Sequence, residues 1–388
     1  MNRLLPPQSS HRQCTPSKQS NNARSNFCKG GFVSKLNNYL LDIAFPDIKL
    51  QLSMGGHCQI SIHGANEQVK NIYLGIKKYC PKNIANFVSG QLRMPKATVD
   101  SWLSGYNPIP ILKFYELLKI WKITCKKSDS EFDFEWSTFF SNAKLYSAKG
   151  GFGKIGLPKQ FDEDQAYLIG FILADGHIKD ENTFLKNGKY PEYTIAMCDD
   201  SKEFLEYLGN LFYQIFGVEC NLHYAEDKKG GWYALRCTSK PIYRYFTKVL
   251  GIPSGSKTGK ITVPEIVKNS SQQCQKAFIG GFSDGEGCVS ISTKNPYLEI
   301  SQSSATDKSP EILDWISQKL SEFGVELSLP QKMSTQNSWR LRTGSKKTIN
   351  SFYIIISSRH PDKIRGFERV KVFEYGKNND WVRGACST

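Results

Sequence analysis

Nowhere does this chain of 388 residues reach the run of about eighteen apolar residues that a membrane-spanning helix requires, so no bilayer span is expected. Its eleven cysteines contain no Cys-x-x-Cys pair, and only six histidines accompany them, which excludes a clustered zinc site and a compact disulfide framework. Reduced thiols are the expectation. Acidic residues are absent from positions 1–30, a polar stretch that reads as a disordered basic tail. This tail lacks an amphipathic face, so a location in the cytoplasm or nucleoid is expected, with organelle import left open. The glycines of Ala148-Lys-Gly-Gly-Phe-Gly-Lys154 are not followed by the Gly-Lys-Ser/Thr of a phosphate-binding loop, and they read as a hinge. What is abundant is positive charge. Lys and Arg number 51 against 36 Asp and Glu, a net charge of +15, which favours a polyanionic partner and above all nucleic acid. The length suggests two to three domains, and 39% hydrophobic residues suffice for real cores.

Between residues 31 and 125 the pattern turns helical. Ile84, Phe87, Val88 and Leu92 share one helical face, and a break at Arg93-Met94 precedes Pro95, a favoured first helical residue. The next helix places Val99, Trp102 and Leu103 inside and leaves Lys96, Thr98 and Ser101 outside. Gly105 ends it, and Ile109-Pro110 opens another helix through Phe114, Leu117 and Leu118. This pair is similar to a helix-turn-helix of the phage-repressor type, which would put Lys96, Thr98 and Ser101 against DNA. An ordinary antiparallel helix pair has the same pattern. Residues 126–161 become polar and glycine-rich and read as a linker.

The remaining chain contains a duplication. Leu168-Ile-Gly-Phe-Ile-Leu-Ala-Asp-Gly176 is matched by Ile279-Gly-Gly-Phe-Ser-Asp-Gly-Glu-Gly287, with the acids Asp175 and Glu286 lying 111 positions apart. Phe216-Gly-Val-Glu219 recurs as Phe323-Gly-Val-Glu326. Leu235-Arg236 with Ser239-Lys240 recurs as Leu341-Arg342 with Ser345-Lys346. Each copy reads as helix, strand pair, helix, strand pair, helix, with boundaries at 162–270 and 271–376 and a tail at 377–388. The fold class is therefore α+β: duplicated αββαββα units with a pseudo-two-fold relation, preceded by a small, mostly helical domain.

Gly170 and Ala174 in the first copy, and Gly281 and Gly285 in the second, are four residues apart on a helical face and allow two helices to approach backbone to backbone. If those helices pack on each other, Asp175 and Glu286 arrive side by side at one end. Two adjacent carboxylates repel and favour a divalent cation between them, Mg²⁺ or Mn²⁺ by their oxygen donors, with Gly176 and Gly287 adjacent to that site. Carboxylates holding metal at the centre of a basic protein suit phosphodiester hydrolysis. Glu265 and Asp284 read as structural, the latter because it points away from the helix face that carries Glu286.

On these residues the chain resembles the LAGLIDADG homing endonucleases in their two-motif, single-chain form, over roughly residues 162–376. Ser256-Lys257-Thr258 with Lys260-Ile-Thr-Val-Pro264, and His360-Pro361-Asp362-Lys363, are similar to the lysine-bearing segments of that family. The resemblance implies one metal-binding acid and one basic residue per half: Asp175 with Lys257 or Lys260, and Glu286 with Lys363. It also implies antiparallel sheets forming a saddle over double-stranded DNA, a monomer, and cleavage of both strands of a long, nearly palindromic site. Leu173 and Ser283 depart from the motif without touching the acids. Arg236, Arg340 and Arg342 alternate with apolar neighbours on strands as groove readers would, and Lys240 and Lys346 follow them as further DNA-binding candidates. The ends of the chain, Met1-Asn2 and Cys386-Ser387-Thr388, do not match protein splicing, so a free-standing enzyme or one that has lost splicing is expected. The alternative is a non-cleaving regulator or intron maturase on the same fold, and the retention of both acids favours the nuclease.

Overall fold

The computed structural model describes residues 59–80, 82–148, 153–180, 192–227, 230–290, 295–334 and 337–378. The basic tail at 1–30, the start of the next domain at 31–58, most of the glycine-rich stretch and residues 379–388 lie outside the described residues. Gly153 is described, with φ of +72°, a backbone conformation that glycine adopts without strain.

The first body begins with strand β1 (Ile60–His63) and helix α1 (Asn66–Tyr79), whose Val69, Ile72 and Ile76 form one buried stripe. Helix α2 (Ile84–Leu92) buries Ile84, Val88 and Leu92, and α3 (Lys96–Leu103) buries Val99 and Trp102. Arg93 joins the two in the left-handed region (φ 50°), and its N–H donates to Gly90 O. Two short helices joined by a tight turn thus stand where the pattern placed them. Ile109–Pro110 pairs with Ile62 and Ser61 of β1 as strand β2, and Pro110 is also the N-cap of helix α4 (Ile111–Thr124), which buries Phe114, Leu117 and Leu118 as expected.

The expected linker at 126–161 is corrected by two elements. Helix α5 (Asp129–Asn142) starts with a reciprocal Ser128–Glu131 capping box, and strand β3 (Leu145–Ala148) pairs with β1 to give the sheet order β2-β1-β3. Trp136, Phe139 and Phe140 of α5 are buried, with the Phe139 ring stacked 3.6 Å from Phe114. The polar run Lys126–Ser130 is a turn and a helix cap, and the aromatic stripe behind it closes the core of the first body.

Each repeat then builds a four-stranded antiparallel sheet. In the first, α6 (Glu163–Ala174) leads into β4 (Gly176–Ile178) and β5 (Thr194–Asp199). Next come α7 (Lys202–Phe216), β6 (Asn221–Asp227), β7 (Gly230–Thr238), the short α8 (Lys240–Arg244) and a π-turn at Tyr245–Val249. A one-turn helix α9 (Glu265–Lys268) precedes the second repeat: α10 (Gln272–Glu286), β8 (Gly287–Ser290), β9 (Tyr297–Ser303), α11 (Glu311–Glu322), β10 (Gln331–Lys332), β11 (Ser338–Thr343), α12 (Lys346–Ile355) and α13 (Pro361–Asn378). The sheet orders β4-β5-β7-β6 and β8-β9-β11-β10 are the same. In the first sheet β5 is buried on both faces from Thr194 to Met197, whereas the second sheet alternates. Leu298, Ile300 and Leu341 are buried on one face, while Glu299, Ser301, Arg340 and Arg342 occupy the other.

Helices α6 and α10 pack face to face and hold the two repeats together. A Cβ on Gly170 would lie 2.2 Å from Phe278 O and 2.8 Å from Phe282 N. One on Gly281 would lie 2.0 Å from Tyr167 O and 3.1 Å from Phe171 N. These contacts are reciprocal, since each partner is the other's counterpart 111 positions away in the duplication. Gly285 meets Ala174 at the same seam, where an added Cβ would lie 2.3 Å from that of Ala174. The four small residues expected on the packing faces lie at this interface, and their small size is what permits the approach.

Candidate active site

The helix seam ends in two acids. Asp175 is the residue that terminates α6, and its N–H donates to Phe171 O. Glu286 is the last residue of α10. The two are brought together: the position a Cβ of Gly285 would take is only 3.4 Å from Asp175 Oδ2, and the charge of Asp175 acts on Glu286. Burial, then the neighbouring Asp175, pushes the Glu286 carboxyl up to about 7. The Asp175 carboxyl is also raised, first by burial, against the lowering pull of Lys363 and Lys257. Asp175 nonetheless keeps an opening to solvent.

Two lysines flank the acids. Lys257 Nζ donates to Leu173 O at 2.9 Å and Ala174 O at 2.5 Å, the carbonyls that end α6. Lys363 Nζ donates to Ser283 O at 2.8 Å and to Asp284 O at the end of α10. A cation on a helix C-terminus is favourable to the dipole and satisfies carbonyls that lack an intrahelical partner. Burial lowers the pKa of both lysines, and the nearby carboxylates partly offset that. Lys260 is not part of this arrangement: it lies exposed on the turn after Lys257, its N–H donating to Lys257 O, and it is not among the charges that act on either acid.

Gly176 and Gly287 follow the acids for a steric reason. A Cβ on Gly176 would lie 2.6 Å from Ile172 Cα, and one on Gly287 would lie 2.3 Å from Ser283 O. They let the chain turn sharply from helix into strand directly after each acid.

Asp284 is structural, as expected, and its partners show how. It is 2% exposed and accepts from Tyr167 Oη and Ser358 Oγ at 2.5 Å, Arg359 N at 2.8 Å and His360 N at 3.2 Å. Tyr167 belongs to the first repeat, so this carboxylate ties the two halves together directly behind the acids.

Sequence reasoning did not find Asp199. It ends β5, and the His360 ring of the second repeat reaches it with Nε2 at 3.2 Å and 3.3 Å from its two oxygens. His360 Nδ1 accepts from the Asp362 N–H, so Nε2 carries the proton and donates to Asp199. Burial raises the Asp199 pKa, but the His360 bond and the Ser201 N–H outweigh it and hold the carboxyl low. Asp199, Asp200 and His360 have donor atoms within 4.8 Å of one another. His360 presents Asp199 with an N–H in place of a lone pair, so the trio is a hydrogen-bonded latch between the halves. The charge of Asp199 acts on both Asp175 and Lys363. No period or motif marks a polar residue at the end of a strand, and only the fold brings it to the acids.

The expected DNA-facing residues divide. Arg236 is exposed on β7, and Arg340 and Arg342 are half-buried on β11. Lys240 does not face outward: it is 7% exposed at the start of α8, with its ammonium 5.4 Å from the Tyr193 ring centroid. Lys346 is half-buried as the first residue of α12. Both lysines follow the strand that carries the arginines, where the chain turns back into the core. In α3, Lys96 is exposed, whereas Thr98 and Ser101 are half-buried, and Ser101 Oγ donates to Thr98 O and accepts from Asn107 Nδ2. Among the described residues no helix is long and apolar enough to cross a membrane.

Residues 162–250 and 273–357 match the family model described as a LAGLIDADG-like domain. Homing endonuclease I-ApeI of Aeropyrum pernix is 27% identical over 199 residues, 51% of this chain and 82% of that protein. The solved structure of I-DmoI in complex with DNA and Ca aligns at 22% identity over 55% of this chain and 97% of that one, with a TM-score of 0.38. The homing endonuclease I-WcaI bound to its DNA recognition sequence aligns at 18% identity over 53% of this chain and 85% of that one, also with a TM-score of 0.38.

Proposed function

Because the two repeats belong to the LAGLIDADG family, we propose that this chain is a site-specific DNA endonuclease that breaks both strands of a long duplex site. The observation that carries this reading is the seam itself: Asp175 and Glu286 end the paired helices, one from each repeat, near enough for the charge of Asp175 to act on Glu286, and Lys257 and Lys363 act on both. Two equivalent half-sites suit two antiparallel strands, and one chain supplies both, so the active form is a monomer. The net charge of +15 provides the attraction to phosphate.

The donor set fits a hard divalent cation. Two apposed carboxylates with raised pKa values, neither in a salt bridge with a flanking lysine, gain from a dication what they lose by burial. Asp175 and Glu286 would hold Mg²⁺ or Mn²⁺. When bound, such an ion supplies an activated water and charge neutralisation at the scissile phosphate. The chain's own groups do the rest. Lys257 and Lys363 are fixed by the helix-end carbonyls, so their positive charge is in place before charge develops on the phosphate and needs no reorganisation. Asp284 and the Asp199–His360 pair hold the two halves in register.

Helix α3, with Lys96 exposed at its start, would add contacts on one flank of the site. The decisive test is to incubate the protein and Mg²⁺ with host genomic DNA or a randomised plasmid pool and to map double-strand ends by sequencing. Ends clustered at one sequence, and lost with chelator or in an Asp175→Asn, Glu286→Gln double variant, are expected. Protection of a discrete site without any ends would instead establish a non-cleaving DNA-binding protein.

A further inference from the structure

The second repeat carries a cluster that the first lacks. In the ladder between β9 and β11, Arg342 lies directly opposite Glu299, and Arg340 lies opposite Ser301. Arg340 Nη1 donates to Glu299 Oε2 at 3.1 Å, and Arg342 Nη1 is 3.5 Å from the same oxygen. The Arg342 guanidinium also lies 3.9 Å from the centroid of the Tyr297 ring. One carboxylate and one aromatic ring thus fix two guanidiniums on the sheet face opposite the buried Leu298, Ile300 and Leu341. Cys288 pairs with Glu299 on the other side, only two residues beyond Glu286, so the cluster is continuous with the acids. In the first repeat the matching ladder puts Ala196 opposite Arg236, and Ala234 stands at the position equivalent to Arg340.

We propose that Glu299 is a specificity-determining residue: it holds Arg340 and Arg342 in a base-reading pose, so that the second repeat discriminates guanines in its half of the DNA site while Arg236 chiefly contacts phosphate. This rests on the endonuclease reading above. Three physical effects converge. An arginine already ordered by a carboxylate and a ring loses less side-chain freedom on docking. Its planar fork matches the O6 and N7 edge of guanine in the major groove. A carboxylate between the two guanidiniums also repels phosphate, so the cluster favours base edges over backbone. Arg236 has no such constraint from Ala196.

The test is sequence selection from a randomised duplex pool by the full-length protein, its Glu299→Gln variant and its Arg342→Lys variant, each with a thermal melt. The wild type is expected to select guanine at two positions under the second repeat. Glu299→Gln is expected to lose that discrimination on the order of tenfold at each position. Removing the carboxylate is also expected to tighten binding to random DNA and to steepen its log–log salt dependence by about one. Arg342→Lys keeps the charge and is expected to relax one position only, with no steeper salt dependence. A folded Glu299→Gln protein that selects the same sequence with the same ratios overturns the proposal and leaves the endonuclease reading intact. Should that variant fail to fold, Arg342→Lys and Tyr297→Leu leave Glu299 in place, and unchanged guanine preference in both overturns it equally. If the wild type selects and cuts no discrete sequence, the endonuclease reading fails and this proposal fails with it.

Discussion

Lys257 and Lys363 stand in equivalent places in the two repeats, each ammonium bound to the carbonyls that end its own repeat's central helix. Among the described residues neither forms an ion pair with an acid, yet both act electrostatically on Asp175 and Glu286. The lysines are therefore fixed by backbone, and their charges stand beside the two acids.

Replacing either lysine by methionine keeps much of the aliphatic stem and removes the charge. Cleavage is expected to fall by about 10²–10³, the scale for losing one preorganised electrostatic group. A supercoiled-plasmid assay resolves the effect: each single variant is expected to accumulate nicked circle, because one half keeps its lysine. Linear product formed at the wild-type rate by either variant would remove the lysines from the mechanism. Lys260→Met, which alters an exposed turn, is expected to leave the rate within about twofold.

The pH dependence of stability follows from the acids. Glu286 titrates near about 7 in the folded chain, against its ordinary value of 4.5, so the folded chain keeps a proton that the unfolded chain releases in that window. Stability of the metal-free protein is expected to fall as pH rises from about 4.5 to about 7, and Asp175, also raised, adds a fall in the same sense above its ordinary value of 3.8. Lowered lysine pKa values act in the opposite sense, at more alkaline pH. Mg²⁺ needs the ionised carboxylates, so it should raise Tm more at about pH 8 than at about pH 5.5. Scanning calorimetry at the two pH values checks this, and equal shifts would count against Asp175 and Glu286 as ligands.

The seam tolerates no added methyl group. Gly281→Ala would place a Cβ 2.0 Å from Tyr167 O, and a backbone atom cannot rotate aside. A loss of about 3 kcal/mol or more in unfolding free energy is expected from overpacking. Gly90→Ala, with nothing within 4 Å of the added Cβ, serves as the control and should be neutral or slightly stabilising. Urea melts of both variants decide it: similar midpoints would mean that the helices do not approach as described.

Asp284→Ala would leave Tyr167 Oη, Ser358 Oγ and the N–H groups of Arg359 and His360 without their buried acceptor. At about 1–3 kcal/mol per orphaned group, partly relieved by water, a loss of roughly 3–5 kcal/mol is expected. Asp284→Asn keeps an acceptor oxygen and should recover a part of that. Chemical denaturation measures both, and a cost below about 1 kcal/mol for the alanine would show that the carboxylate does not tie the halves together.

The legible part of this protein is the part with a period. Small residues four apart, an acid before glycine and the repeat of both after 111 positions were enough to bring Asp175 and Glu286 to one end of a helix pair, given that small residues at matched positions let the two helices pack on each other. Less legible was α5, although Ser128, Glu131 and the stripe of Trp136, Phe139 and Phe140 announce a capped amphipathic helix. There the polar composition of Lys126–Ser130 outweighed the pattern behind it. Lys240 read as a DNA-binding candidate and proved buried, because β7 ends just before it and the chain turns inward.

What the sequence determined by itself is therefore the duplication, the central helix pair and the two acids, all fixed by local period and by identity at matched positions. What the tertiary structure decided is everything that depends on residues far apart in the chain. Lys257 and not Lys260 reaches the helix end, His360 crosses from the second repeat to Asp199, and Glu299 gathers two arginines from a neighbouring strand. Those contacts are set by loop lengths and sheet register, which place a side chain to within an ångström, and no periodicity along a single chain encodes them.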